Sequence, residues 1–174
     1  GGTLALWAAV QEEAQGRFAA LVLVSPNLGV RDPSAPILLW PWGGALARMI
    51  IGRERCFEPL NAEHERHWTT CYPTRSLLPM MSLVDHVRSL ESGALAVPTL
   101  VLYSLGDQVV DPDATERVIS RLASEPAAMY VVRGSSDPEQ HVLAGAIMSP
   151  ETTEDVRRRI LEFLVPLVEG RPGF

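Results

Sequence analysis

Two side chains able to cooperate in proton transfer stand at the ends of strand-like runs. Thr99 to Ser104 is a continuous apolar, β-rich stretch of the length expected for a strand buried on both faces. It breaks at Leu105-Gly106-Asp107, which places a carboxylate just past the strand's C-terminal end. The next strand-like run, Ala128 to Val132, leads into a loop carrying His141. An acid after one strand and a histidine after the next is a recurring way to build a charge-oriented base. The buried carboxylate holds the imidazole tautomer and stabilises the imidazolium, while the other ring nitrogen takes a proton and later returns it. Alone, Asp107 is better explained as a turn aspartate bonding its own backbone, and His141 as a surface loop residue. Their shared register, one helix and one strand apart, favours the chemical reading for both.

The remaining polar candidates have simpler accounts. Asp111 is a rival acid, but it precedes Pro112, and an acceptor followed by proline is a helix start. Asp137, in the histidine loop, reads as turn chemistry. His64 and His67 lie three apart on a short polar helix and could share a metal, yet no carboxylate-rich or cysteine-rich set accompanies them. Glu63 and Glu65 point to other faces, so a solvated helix is expected there. His86, between Asp85 and Arg88, reads as surface. Ser25 is followed by Pro26-Asn27, and Ser104 precedes the acid instead of opening a helix, so neither is placed as a nucleophile. Cys56 and Cys71 form neither a metal spacing nor a disulfide framework and read as two unrelated, partly buried thiols. No metal or cofactor is called for.

The elements that would position these groups follow from local pattern. Gly1 to Val10 reads as helix, continuing to Glu13 and Ala14 and closed by Gly16. Ala19 to Ser25 is a second buried strand, ended by Pro26-Asn27. Asp111-Pro112 opens a helix with Val118, Ile119 and Leu122 at helical spacing. A final helix opens at Ser149-Pro150-Glu151, with Val156, Ile160, Phe163, Leu164 and Leu167 on one face and Arg157 to Arg159 largely on the other, ended by Pro166 and Gly170. The segment from Pro26 to Ala96, about seventy residues, exceeds the dozen or more that a bare crossover needs, so it is an insertion with its own helices. Its apolar stretch, residues 37–51, is too short to span a bilayer and contains Pro41 and Arg48. Asn61 to Trp68 and Ser76 to Leu90 read as further helices. The order is helix, strand, insertion, strand, helix, strand, loop, helix: an α/β fold with a parallel sheet, in which ligands bind outside the carboxyl ends of the strands.

Composition bounds the class. The 174 residues are 47% hydrophobic and 21% charged, which is globular. A single domain of this size buries about 70% of its surface. The net charge of −6 and the lack of a basic cluster beside aromatics speak against nucleic acid as a partner. The chain starts at glycine, so localisation cannot be read, the cytoplasm being only slightly favoured. Oligomeric state is not legible either.

Three motifs together resemble the C-terminal part of an α/β-hydrolase. Gly1-Gly2-Thr3-Leu4-Ala5 is similar to the residues just after the serine of a G-x-S-x-G-G elbow. Gly106-Asp107-Gln108-Val109-Val110-Asp111-Pro112 resembles the family's acid loop, and Gln140-His141-Val142-Leu143 its histidine loop. The chain order, acid and then histidine, also fits. Within that superfamily the likeness is to carboxylesterases, monoacylglycerol lipases and lysophospholipases.

The resemblance implies a partial α/β-hydrolase domain over residues 1–174, the last part of a parallel sheet with flanking helices and an inserted helical cap at about 27–96. It implies a serine hydrolase acting on an ester or lipid-like substrate with an apolar acyl group. Asp107 and His141 would be two members of its triad, and the serine would lie two residues before Gly1. Trp40-Pro41-Trp42 and Met80-Met81 would be either packing or acyl-pocket lining. A proline-iminopeptidase-like aminopeptidase is the enzymatic alternative, with Glu54, Glu58, Glu63 and Glu65 available for a substrate amine. A non-catalytic, hydrolase-derived binding module is the alternative of another class. The chain as given is expected to be inactive and to expose the strand at residues 20–25 as an open edge.

Overall fold

The computed structural model describes residues 1–11, 16–125 and 127–169. Its elements run α1 (Gly2–Ala9), β1 (Leu21–Val24), a 3-10 turn (Ala35–Leu39), α2 (Gly43–Ile51), β2 (Glu54–Cys56), α3 (Ala62–His67), β3 (Cys71–Pro73), α4 (Leu77–Ser89), β4 (Thr99–Tyr103), α5 (Pro112–Leu122), β5 (Ala128–Val131) and α6 (Pro150–Glu169). They divide between two compact units: Gly1–Arg31 with the chain from Val87 onward, and Asp32–His86. None of the described helices is long and apolar enough to cross a membrane.

The first unit is built on β4, whose five residues are all buried. A strand with no polar alternation has no face for water and settles in the middle of a covered sheet. Accordingly β4 pairs in parallel with β1 on one side (Leu21 opposite Thr99) and with β5 on the other (Leu100 opposite Ala128). Leu100 and Leu102 share one core cluster with Val132, Leu143 and Val156, against which Ile160 and Phe163 of α6 pack. Full burial of such a side chain contributes about 1.5–3 kcal/mol. In the described sheet β1 is an edge strand.

Two helix ends differ from expectation. α1 stops at Ala9, where the Val10 amide donates to the Trp7 carbonyl and Gln11 to Ala8, a tightened final turn. Glu13 and Ala14, expected to continue it, lie outside the described residues. Pro166 does not end α6 but sits inside it. So near the C-terminus its missing N–H removes one ladder bond, and the helix tolerates that loss. Gly170 is outside the described residues.

In the second unit β2 and β3 form an antiparallel hairpin in which Cys56 stands directly opposite Cys71. The two are not separate thiols: they form a disulfide, with Cα atoms 4.1 Å apart. Residues directly opposite on antiparallel strands stand about 4.5–5.5 Å apart, so the register of the hairpin brings the two sulfurs together. A disulfide fits an oxidising compartment better than the reducing cytosol. The helix α3 is likewise not solvated throughout. Asn61 caps it, accepting from the His64 amide at 2.8 Å. His64 itself is buried between Phe57 and Trp68, and its Nδ1 accepts from the Leu60 amide at 3.2 Å. His67 faces outward to Glu63. On α4, Leu77, Met81 and Val84 are buried, as core packing requires, whereas Trp40 and Trp42 stand 63% and 81% exposed.

Closing the 15-residue separation by a disulfide is worth about 3 kcal/mol in the chain-entropy account. Cys56→Ser with Cys71→Ser is therefore expected to lower the denaturation midpoint and to abolish any further effect of reductant. Equal midpoints with and without reductant in the unsubstituted chain would refute the pairing.

Tyr103, at the end of β4, gives a second expectation. Its burial, then the hydrogen bond its hydroxyl donates to Glu116 on α5, push the phenol from the usual 10.0 up to about 12. The folded state therefore holds this proton more tightly than the unfolded chain. The contribution is complete below about pH 10 and lost as pH rises through 12. Ultraviolet titration is expected to find a phenol ionising near pH 12 that is missing in Tyr103→Phe.

Candidate functional site

The loop after β4 turns on its own side chains. The Gly106 amide donates to Ser104 Oγ at 3.1 Å and the Asp107 amide to the Ser104 carbonyl at 3.3 Å. Asp107 Oδ1 then accepts from the amides of Val109 (2.8 Å) and Val110 (2.9 Å). Arg31 closes the loop from outside: its Nη1 donates to the Asp107 carbonyl at 2.9 Å, and its amide donates to the Val109 carbonyl at 3.1 Å. Asp107 is 1% exposed. With Oδ1 engaged by two amides, Oδ2 is directed at His141 Nδ1, 2.9 Å away.

The loop after β5 is held from below. Ser135 Oγ donates to the Val142 carbonyl at 2.9 Å and accepts from the Asp137 amide at 3.2 Å. Ser149 Oγ reaches the same carbonyl, and Thr152 Oγ1 donates to the Leu143 carbonyl at 2.7 Å, so the start of α6 anchors the segment. Asp137 Oδ2 accepts from the amides of His141 (2.9 Å) and Val142 (2.8 Å).

Two further bonds join the loops to one another. Gln108 N–H donates to the Glu139 carbonyl at 2.8 Å, and Ser104 Oγ donates to Gln140 Oε1 at 3.0 Å. The Gln140 amide also fills the space over Gly106, where a Cβ would sit 2.5 Å from its Oε1. A larger residue there would have to displace the Gln140 amide.

The structure thus brings the side chains of Asp107 and His141 together, sets Asp137 on the backbone of His141, and leaves Asp111 apart from them. Asp111 caps α5, accepting from the Asp113 amide at 3.0 Å and from Arg117 at 3.3 Å. A carboxylate only accepts, so the His141 proton facing Asp107 resides on Nδ1 and leaves Nε2 as the basic nitrogen. The side chain of His141 is 30% exposed, so part of it is reachable. A pair so arranged can remove a proton from a nucleophile and hold the resulting imidazolium.

Sequence reasoning missed Arg31, Ser104 and Gln140 as parts of this assembly. Arg31 lies 76 residues from the carbonyl it binds, and no local pattern signals that. Gln140 adopts a left-handed φ of 51°, shared among the described non-glycine residues only by Ser25 at 43°. Such strain gathers at functional sites.

Asp107 supports stability as well as geometry. Asp107→Ala leaves the Val109 and Val110 amides without their acceptor, a loss of about 1–3 kcal/mol. Asp107→Asn keeps an oxygen for them and is expected to unfold close to the unsubstituted chain. Equal destabilisation by both substitutions in chemical denaturation would contradict this account.

No protein-family profile and no curated protein sequence matches the chain. Among solved structures it is similar to a monoglyceride lipase from Saccharomyces cerevisiae in complex with a substrate analogue, at 12% identity and a TM-score of 0.67, covering 96% of this chain and 62% of the lipase. It is similar to the monoacylglycerol lipase of Paleococcus ferrophilus at 19% identity and a TM-score of 0.68, covering 96% of this chain and 65% of that one. It is also similar to alpha/beta hydrolase domain-containing protein 10 from mouse, at 16% identity, a TM-score of 0.59 and coverages of 96% and 59%. The fold is that of an α/β-hydrolase, and the chain spans less than two thirds of each of these proteins.

Proposed function

We propose that this chain supplies the acid and the general base of a serine hydrolase that cleaves carboxylic esters with an apolar acyl group, of lipase, lysophospholipase or carboxylesterase type. The observation that carries the reading is the 2.9 Å contact from buried Asp107 to His141, made by two loops at the carboxyl ends of adjacent parallel strands. Asp107 holds Nδ1–H of His141. Nε2 takes the proton of the serine hydroxyl as its oxygen attacks the ester carbonyl, and the imidazolium then protonates the departing alcohol. Water attacks the acyl-enzyme by the same proton route in reverse. No metal or cofactor has a role in these steps.

The serine is proposed to lie two residues before Gly1. The packing at Gly2 supports this: a Cβ there would lie 3.2 Å from both Cα and Cβ of Pro26, so the start of α1 favours a small residue, as a turn from strand to helix around a nucleophile does. Residues 27–96 are proposed as the cap, a reading supported by the compactness of Asp32–His86 as a unit of its own. The apolar acyl group is proposed from the fold shared with monoacylglycerol lipases. For the aminopeptidase alternative, Glu63 stands on the surface beside Arg66 at 3.0 Å and His67 at 3.4 Å.

The reading frame upstream of Gly1 is expected to encode G-x-S-x; its absence would sink the catalytic reading in favour of a binding module. The enzyme completed in this way is expected to hydrolyse a medium-chain p-nitrophenyl ester and not an aminoacyl amide. In it, Asp107→Asn is expected to lower kcat about 10⁴-fold, because the tautomer is wrong. His141→Ala should remove activity to a similar degree. The 174-residue chain by itself should show no esterase activity.

A further inference from the structure

Asp137 is a buried carboxylate, 4% exposed, that the proton transfers above do not use. An aspartate that only shapes its own turn bonds the amide two residues on. Asp137 makes that bond with Oδ1, from Glu139 at 3.2 Å, and then goes further. Its Oδ2 accepts from the amide of His141 at 2.9 Å and from that of Val142 at 2.8 Å. Those two amides belong to the two peptide planes on either side of the His141 Cα. One oxygen therefore ties down both φ and ψ of the histidine and with them the direction of its Cα–Cβ bond.

The residue just before is forced into the left-handed region, Gln140 at φ 51°, a conformation that persists only where its surroundings over-determine it. Asp137 contributes to that from the same turn, its carbonyl accepting the Gln140 amide at 2.9 Å.

We propose that Asp137 is the positioning residue of His141: it fixes the histidine backbone so that Nδ1 meets Asp107 at hydrogen-bond distance. The function is carried by its oxygen as an acceptor, not by its charge. The significance for catalysis rests on the role proposed above for His141, whereas the anchoring of its backbone does not.

The test uses the polypeptide encoded by the complete reading frame, with Asp137→Ala and Asp137→Asn. Three quantities are measured: the Nδ1–H proton signal of His141, the hydrogen exchange of the His141 and Val142 amides, and kcat and KM on a p-nitrophenyl ester. Asp137→Ala is expected to speed exchange at both amides more than about tenfold, to abolish the Nδ1–H signal and to lower kcat about 10²-fold with KM unchanged. Asp137→Asn, which retains an oxygen, is expected to restore all three.

Unchanged amide exchange and Nδ1–H signal in a folded Asp137→Ala would overturn the proposal, as would a folded Asp137→Asn that loses both. If Asp137→Ala does not fold, Asp137→Asn decides alone by keeping or losing the signal. If the unsubstituted protein shows no Asp107-dependent Nδ1–H signal, the serine-hydrolase reading fails. Amide exchange then still decides whether Asp137 anchors the histidine backbone.

Discussion

A carboxylate that is 1% exposed must replace the hydration it gives up, and the way Asp107 does so dictates most of what surrounds it. Both of its oxygens are claimed, Oδ1 by two successive backbone amides and Oδ2 by an imidazole. The amides of Val109 and Val110 point inward only because the backbone turns sharply after β4. Arg31 maintains that turn by bonding the Asp107 carbonyl from the far side. Moving any of these groups would leave a buried charge short of partners, which costs more than a typical surface contact returns. These bonds hold the loop in place because the alternative is a stranded anion.

The same constraint explains the demand on the sheet. A carboxylate at the end of β4 and a histidine beyond β5 meet only if the two strands run in the same direction and end level. The parallel register, Tyr103 opposite Val131, provides this. β4 is buried along its whole length because it lies between β1 and β5, and that burial fixes where its C-terminal end stops. The aliphatic cluster of Leu100, Leu102, Val132, Leu143 and Val156 is thus part of the site's support: Val132 leads into the histidine loop and Leu143 comes two residues after the histidine.

What could be read from the sequence was what local chemistry determines. The buried strand Thr99–Tyr103, the proline-led start of α5 with Asp111 at its cap, and the acid-then-histidine order all arise from short-range pattern. What escaped was set by contacts between distant residues. The Cys56–Cys71 bond depends on a hairpin register that three-residue strands do not announce. His64 looks polar beside Glu63, Glu65 and Arg66, yet one face of its short helix turns inward against Phe57 and Trp68. Pro166 failed as a stop signal because the penalty for an internal proline shrinks when little helix remains beyond it. Arg31 and Gln140 could not be assigned from neighbours in sequence, since what they touch lies 76 and 36 residues away.

An acid–base pair of this kind is indifferent to substrate. Removing a proton from a hydroxyl and returning it to a leaving group serves esters and amides alike, and unrelated folds have arrived at the same constellation. The arrangement around His141 therefore bears on the proton transfers proposed for it and not on the choice of substrate. What the geometry does discriminate is how the imidazole is aimed. Its ring is fixed at one end by the Asp107 carboxylate and its backbone at the other by Asp137, with Ser104 and Gln140 joining the two loops between. In the role proposed for it, an imidazole constrained from both ends would have little freedom left to lose on reaching a transition state, a saving that a scaffold provides before any substrate arrives.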